Sequence, residues 1–324
     1  MCADDLETVA DSLGGDIVVA GPSEGPGAVE AASRGDGQPR VVGVGDTEAL
    51  GDAVRDAGVV VVAVDGSSSP PESVFQASDD ADGFVVAVLD AREEGVLEPA
   101  RLDDVREGAD VTLLACGAHP PVARSAEQSD TAGEGMAQAE SGGAAGGAVD
   151  FARMLHAPGQ INLDLADART VLTDGTLAVL AGGTASFETE SPGKAVQRAF
   201  EAIPPAVDVA GGSGALVSVA GGPEMSIDDA IAAVRTVRGA LGSTENLIWG
   251  VAVEEALADR LTVDIVVDDV SYRPPLSAGD PCRRCGATLA AYTFGDRRTL
   301  ACEACGFADL SVSLGERPDR DAGR

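Results

Sequence analysis

Four short runs limit what this chain can become more than any other feature: DIVVAG (Asp16–Gly21), AGVVVVAV (Ala57–Val64), FVVAVLD (Phe84–Asp90) and DVTLLACG (110–117). Each is apolar at successive positions rather than alternating, and each is rich in β-branched residues. A strand of that kind is buried on both faces, which is the condition of a parallel sheet covered by helices on each side. The runs therefore predict an α/β fold with a Rossmann-like parallel sheet.

The second half of the chain reads as a two-layer α/β unit. Ser226 followed three residues later by Asp229 makes a capping-box-like helix start, with Asp in place of the usual Glu. Ile227, Ala230, Ile231, Val234, Val237 and Leu241 then mark one apolar face at helical spacing, and Gly242 suits the C-terminal cap. GALVSVAGG, NLIWGVAV and LTVDIVV read as strands, giving helix 193–203, strand, helix, strand, strand. Trp249 sits inside one of them and is best explained by core packing.

Ahead of this unit, GQINLDLAD (159–167) places Asn162, Asp164 and Asp167 at the spacing Asn-x-Asp-x-x-Asp, in a short acidic loop between two apolar runs. Two carboxylates three residues apart can share one water or one cation, so the loop has the means for hydrolytic chemistry. Acidic pairs in loops are more often solvated helix caps, and the pattern alone does not separate the two.

From 151 to 269 the chain resembles the FtsZ branch of the FtsZ/tubulin superfamily. The match is carried in order by FARMLHAPGQINLDLADARTVLTDGTLAVLAGG, PGKAVQRAFEAI, GALVSVAGGPEMSIDDAIAAVRTV and NLIWGVAVEEALADRLTVDIVV. The resemblance implies that Asn162, Asp164 and Asp167 form a synergy loop, which projects into the nucleotide site of the next subunit and helps GTP hydrolysis there. It further implies a nucleotide-binding half followed by a second α/β domain.

At the places where the family has its phosphate loops, this chain has GPSEGPGAV, with Gly21, Gly25 and Gly27, and DGSSSPPES, with Gly66, Ser67 and Ser68. A phosphate cradle needs successive free backbone N–H groups and no nearby anion. Pro22, Pro26, Pro70 and Pro71 lack that donor, and Glu24, Asp65 and Glu72 would repel a phosphate. At ~4 Å such a like-charge contact costs roughly 1 to 4 kcal/mol, depending on screening. The helix that would carry a guanine-contacting carboxylate is replaced by AESGGAAGGAVD, whose glycines predict no good helix before about Ala148, and 124–147 reads as a mobile connection. These features argue against GTP binding.

Cys282-Arg-Arg-Cys285-Gly and Cys302-Glu-Ala-Cys305-Gly, with sixteen residues between the pairs, read as a zinc ribbon. Four thiolates complete tetrahedral zinc and leave no open position, so the site is expected to be structural. Pro274, Pro275 and Pro281 make 271–281 a stiff linker into it. Arg283, Arg284, Arg297 and Arg298 make the ribbon less acidic than the rest, which suits either docking or capping of the preceding sheet. Elsewhere, His119 and His156 are the only histidines; Cys116 and His156 read as packing residues, Lys194 and Arg198 as surface charges on one helix face, and Cys2 as unpartnered.

Charge removes several function classes. The formal net charge is −32 and Lys194 is the only lysine, a surface similar to that of proteins from salt-accumulating archaea. Nucleic-acid binding is excluded, because phosphate contacts need basic groups. The longest apolar run, 59–64, is too short to span a bilayer, and the N-terminus shows no export signal. The expected layout is a degenerate nucleotide-binding domain over 1–170, a C-terminal α/β domain over 171–270, the linker, the ribbon over 282–310 and a tail over 311–324. The expected function is that of a divergent cytoplasmic FtsZ-like protein at the division site. It would lack independent GTPase activity and act on FtsZ-family subunits, or on its own copies, through the synergy loop, with the ribbon as a possible adaptor. A working GTPase, and a zinc-ribbon scaffold that uses the FtsZ-like fold to dimerise, are the alternatives.

Overall fold

The computed structural model describes residues 16–21, 40–43, 57–64, 83–91, 99–116, 143–156, 159–173, 176–187, 189–242, 244, 246–273, 276–294 and 297–309. The chain divides into two compact units, Met1–Arg273 and Pro274–Arg324.

Among the described residues of the first unit, nine strands form one mixed sheet: β1 (Asp16–Gly21), β2 (Arg40–Gly43), β3 (Ala57–Val64), β4 (Phe84–Asp90), β5 (Val111–Cys116), β6 (Thr176–Ser186), β8 (Gly214–Gly221), β9 (Asn246–Val253) and β10 (Arg260–Val267). Their order is β2-β1-β3-β4-β5-β6-β10-β8-β9. All neighbours are parallel except β10, which runs antiparallel to both β6 and β8. The four runs singled out in the sequence are β1, β3, β4 and β5, and their described side chains are almost all buried. A two-stranded ribbon joins β7 (Val207–Asp208) to β11 (Ser271–Tyr272). β2 and β6 carry no comparable signal in sequence: one is short, and the other is interrupted by Gly182 and Gly183.

Helices cover both faces. Leu102 and Val105 of α1 (Pro99–Gly108), Ala195, Val196 and Ala199 of α4 (Pro192–Ala202), and Ala230, Ala233, Val234 and Val237 of α5 (Ile227–Leu241) join one core. Phe151, Ala152 and Leu155 of α2 (Gly143–His156) join a second core on the opposite face, with Leu165, Ala168 and Val171 of α3 (Leu165–Val171). The start of α5 is the capping box read from Ser226 and Asp229, and Gly242 ends it at φ +74°. Ile227 departs from the expected apolar face and is 46% exposed. It is the first residue of the helix, before the turn that packs on the sheet.

α2 corrects the sequence reading: it is helical from Gly143, not from about Ala148. Packing explains this. A Cβ on Gly147 would lie 2.4 Å from Ala115 Cβ and 3.2 Å from Val88 Cγ1, so the glycine lets the helix lie directly on β4 and β5. Interior glycine costs roughly 1 kcal/mol relative to alanine. Burying Phe151, Met154 and Leu155 returns roughly 1.5–3 kcal/mol each, which decides the matter. The same device recurs at Gly183, where a Cβ would sit 2.1 Å from the carbonyl oxygen of Ala195 in α4. Residues 124–142, the rest of the proposed connection, lie outside the described residues.

In the second unit, β12 (Ala290–Phe294), β13 (Arg297–Ala301) and β14 (Ala308–Asp309) form an antiparallel sheet. The segment read as a linker is engaged at both ends, and this corrects its extent. Ser271 and Tyr272 pair with β7, and Arg273 N–H donates to the Ala206 carbonyl. Further on, Leu289 N–H donates to Asp280 O, Gly279 N–H donates to Leu289 O, and Leu276 packs among the ribbon's apolar residues.

Candidate partner-facing loop and metal centre

The loop over 159–164 is fixed to the outer edge of the sheet. Gln160 and Ile161 N–H donate to the Val251 carbonyl at 2.7 and 3.2 Å, and Val251 N–H returns a bond to Ile161 O at 2.8 Å. Two glycines permit the approach. A Cβ on Gly159 would lie 2.3 Å from Val251 O, and one on Gly250 would lie 2.9 Å from both Ile161 O and Leu163 Cγ. Beside this seam, Ile161 and Val253 are 38% and 39% exposed, unusual among the described large apolar residues.

The three candidate residues are brought together, and each has a local structural duty. Gly159 N–H donates to Asn162 Oδ1 at 2.7 Å. Asp164 is the N-cap of α3: its Oδ1 accepts from Asp167 N–H at 2.9 Å, while Asp167 Oδ2 accepts from Asp164 N–H at 3.0 Å. The Asp-x-x-Asp spacing is therefore a reciprocal capping box, a reading the sequence pattern allowed but did not single out. Among the described residues, Asn162 Nδ2, Asp164 Oδ2 and Asp167 Oδ1 have no partner. Each side chain thus spends one polar atom on the fold and keeps another for the outside.

α3 itself is anchored by two residues that the sequence did not mark. Arg169 Nη2 donates to the Gly58 carbonyl of β3 at 3.3 Å, and its guanidinium lies 5.7 Å from the centroid of the Phe84 ring in β4. At the far end, the carboxylate of fully buried Asp268 accepts from Thr173 N–H, Thr176 Oγ1 and Ser213 Oγ at 3.3, 2.6 and 3.1 Å. Arg198 also departs from its reading as a plain surface charge. It makes a two-pronged pair with Glu190 at 2.8 and 2.6 Å and donates to the Thr184 carbonyl. The hydrogen bonds that Glu190 accepts from Arg198 and from Ser186 N–H hold its carboxyl below its ordinary 4.5.

Of the six candidate phosphate-loop residues, Gly21 closes β1; Gly25, Gly27, Gly66, Ser67 and Ser68 lie outside the described residues. The sheet order reverses between β1 and β3, the place where open α/β sheets take ligands beyond the carboxyl ends of their strands. Asp150 is the one acid of α2. Cys116 is buried at the end of β5, as expected. His119 and Cys2 lie outside the described residues, as does the side chain of His156.

In the second unit the four cysteines converge. Their Sγ atoms all lie within 4.8 Å of one another, with Cys282–Cys305 at 3.7 Å and Cys285–Cys302 at 3.4 Å. Those distances are far beyond a disulfide bond of about 2.05 Å. They are near the ~3.8 Å edge of a tetrahedron with 2.3 Å metal–sulfur bonds. Two matching turns aim the thiols. Cys282 N–H donates to Ala287 O and Gly286 N–H to Cys282 O, and Cys302 N–H donates to Phe307 O and Gly306 N–H to Cys302 O. Gly286 and Gly306 have φ +75° and +72°, which a glycine adopts without strain. Burial opposes ionisation of Cys282, but the N–H groups of Arg284 and Cys285 and the nearby thiols bring it down to about 7. Cys285 accepts from Ala287 N–H, yet the thiols of Cys302 and Cys305 push it up to about 12. Four thiols this close cannot all ionise unless a cation joins them. The cluster is placed to hold a metal ion.

Comparisons with known proteins place this geometry. Residues 176–271 match the model of the FtsZ family, C-terminal domain. Cell division protein FtsZ 1 of Archaeoglobus fulgidus is 34% identical over 113 residues, which are 35% of this chain and 30% of that protein. Cell division protein FtsZ 1 of Halobacterium salinarum is also 34% identical over 113 residues, 35% of this chain and 28% of its own length. The matched part thus spans less than a third of these curated relatives. Among solved structures, an empty FtsZ dimer from M. jannaschii superposes with a TM-score of 0.60 at 17% identity, covering 87% of this chain and all of that one. A GDP-form TubZ protofilament from Bacillus thuringiensis gives 0.51 at 8% identity, covering 84% of this chain and 91% of that one. Residues 176–271 are thus a C-terminal domain of the FtsZ type, built into a sheet of the FtsZ/tubulin fold.

Proposed function

We propose that this protein works in FtsZ-type filament assembly or cell division by presenting its 159–164 loop to the nucleotide-bearing face of a partner FtsZ subunit, without hydrolysing GTP on its own. The observation that carries this reading is the division of labour within the loop. One polar atom of each of Asn162, Asp164 and Asp167 builds the cap or the turn, and Asn162 Nδ2, Asp164 Oδ2 and Asp167 Oδ1 remain for a water or ligand contributed by a partner. In this role Asn162 orients the attacking water and the two carboxylates polarise it. Exposed Ile161 and Val253 supply apolar contact beside the polar atoms. The prolines and acids of 21–27 and 65–73 are the reason for assigning no turnover to the chain itself.

The four-cysteine cluster is proposed to hold zinc as a structural ion. Sulfur ligands in a closed tetrahedral set suit zinc and leave no position for water, so the ion would organise the ribbon rather than act on a substrate. A ribbon ordered in this way supplies a rigid, less acidic adaptor surface.

The test is co-sedimentation and GTP turnover with an authentic FtsZ in concentrated salt, comparing wild type with Asp167→Ala. Reduced stimulation of the partner's turnover by the variant is expected. Equal turnover and co-assembly would reject the loop's role. Titration of the chain alone with labelled GTP and magnesium tests the other half, and micromolar binding there would favour a self-sufficient GTPase.

A further inference from the structure

We propose that Arg169 is a positioning residue that ties the synergy-type loop to the N-terminal sheet, so that the register of Asn162, Asp164 and Asp167 depends on a stacked contact with Phe84. The inference rests on the function proposed above, but its physical part stands on the fold alone. α3 has seven residues, too few to hold a helix without outside support. Its position is therefore set by what it is fastened to. At its start, the chain is bonded to β9 through Ile161 and Val251. After its end, Thr173 is held by Asp268, which follows β10. Both fastenings belong to the C-terminal part of the sheet. Among the described residues, Arg169 is the side chain of α3 that hydrogen-bonds to the N-terminal strands, donating to Gly58 O in β3 at 3.3 Å.

The residue type matters. The guanidinium donates in its plane to a carbonyl while offering its flat face to a ring, here 5.7 Å from the Phe84 centroid. A lysine ammonium cannot do both. Arg169 lies two residues beyond Asp167 and five beyond Asp164, so a tilt of α3 after its loss passes directly into the capping box. Misplacement of a reacting group by about 1 Å costs up to 100-fold in rate, even when the change is remote from the chemistry.

The experiment compares wild type, Arg169→Ala, Arg169→Lys, Phe84→Leu and the double variant Arg169→Ala/Phe84→Leu in the full chain. The first readout needs no partner: amide hydrogen exchange at Asp164 and Asp167, whose N–H groups make the capping box. Exchange about tenfold faster in Arg169→Ala and Phe84→Leu, with the double variant no faster than either and Arg169→Lys restoring little, is the expected result for one shared contact. Unchanged exchange at these amides, a full rescue by lysine, or faster exchange spread over all of 16–273 would overturn the proposal. The second readout uses an authentic FtsZ. Arg169→Ala should lower stimulated GTP turnover about tenfold while co-sedimentation changes less than twofold, and equal loss of both would count against positioning. Should wild type fail to stimulate at all, the functional reading falls, and the exchange data still decide the role of Arg169.

Discussion

Replacing Gly147 with alanine sets two opposing effects of known size against each other. In the middle of a helix the change should help, because alanine is favoured over glycine by roughly 1 kcal/mol. In this helix, the added Cβ would lie 2.4 Å from Ala115 Cβ and 3.2 Å from Val88 Cγ1. Ordinary contact begins at 3.4 Å, so α2 must move off β5 by about 1 Å or distort. Overpacking of this kind costs roughly 1–3 kcal/mol, and a clash with an atom fixed to a buried central strand belongs at the upper end. The net expectation is a loss of about 2 kcal/mol, equivalent to a Tm lower by roughly 4–8 °C for a domain of this size. Gly239→Ala is the matched control: it is also interior to a helix, α5, but nothing lies within 4 Å of the added atom. It should raise Tm by roughly 2–4 °C. Thermal unfolding followed by circular dichroism in concentrated salt measures both. If Gly147→Ala raised Tm as Gly239→Ala does, close packing would not be the reason for the glycine. The account of why 143–147 is helical would then fail.

The purified chain should carry one zinc per molecule, and Cys285→Ser or a strong chelator should remove it and raise hydrogen exchange across 276–309 while leaving 16–273 unchanged; metal-independent protection of 276–309 would contradict this. Asp268→Ala removes a buried acceptor shared by Thr173 N–H, Thr176 Oγ1 and Ser213 Oγ, which are themselves exposed or half-buried, so a loss of roughly 1–3 kcal/mol is expected in denaturant unfolding, and a loss below about 0.5 kcal/mol would show that the network carries little. Glu190 has its folded pKa depressed, so its pairing with Arg198 stabilises the fold above about pH 4.5 and is lost as pH falls through the lower folded value. Glu190→Gln should therefore flatten that part of the acid limb. Because the pair is exposed, the effect should shrink in concentrated salt.

What could be read from the sequence follows the range of the interactions involved. β1, β3, β4 and β5 were legible because burial on both faces writes a continuous apolar run into neighbouring residues. The start and end of α5 were legible because Ser226, Asp229 and Gly242 act within one turn. The convergence of the cysteines was legible because each CxxCG turn is local and the two repeat. By contrast, the start of α2 over 143–147 was hidden because the benefit of Gly147 lies on β4 and β5, far away in sequence. β6 was hidden because Gly182 and Gly183 weaken the strand signal, and the need for Gly183 comes from the backbone of α4. Arg169 and Asp268 gave no signal, since their hydrogen-bond partners lie between 55 and 111 residues away.

The Asn-x-Asp-x-x-Asp stretch is the instructive middle case. A helix cap and a pair of carboxylates for hydrolysis require the same residue types at the same spacing, so sequence alone presents them as rivals. A carboxylate has two oxygens, and a reciprocal capping box occupies one from each aspartate. The cap fixes the direction of the second oxygen, because a carboxylate anchored through one oxygen loses rotation about its side chain. Order in the loop is thus a condition for the proposed chemistry rather than an explanation that replaces it. It also makes Asp164 a sharper probe than a plain alanine scan suggests. Asp164→Ser keeps an N-cap acceptor and removes the outward oxygen. Asp164→Ser should therefore leave Tm within about 1 °C of wild type, while any help given to a partner's GTP turnover disappears. A variant that kept both would reduce Asp164 to its cap.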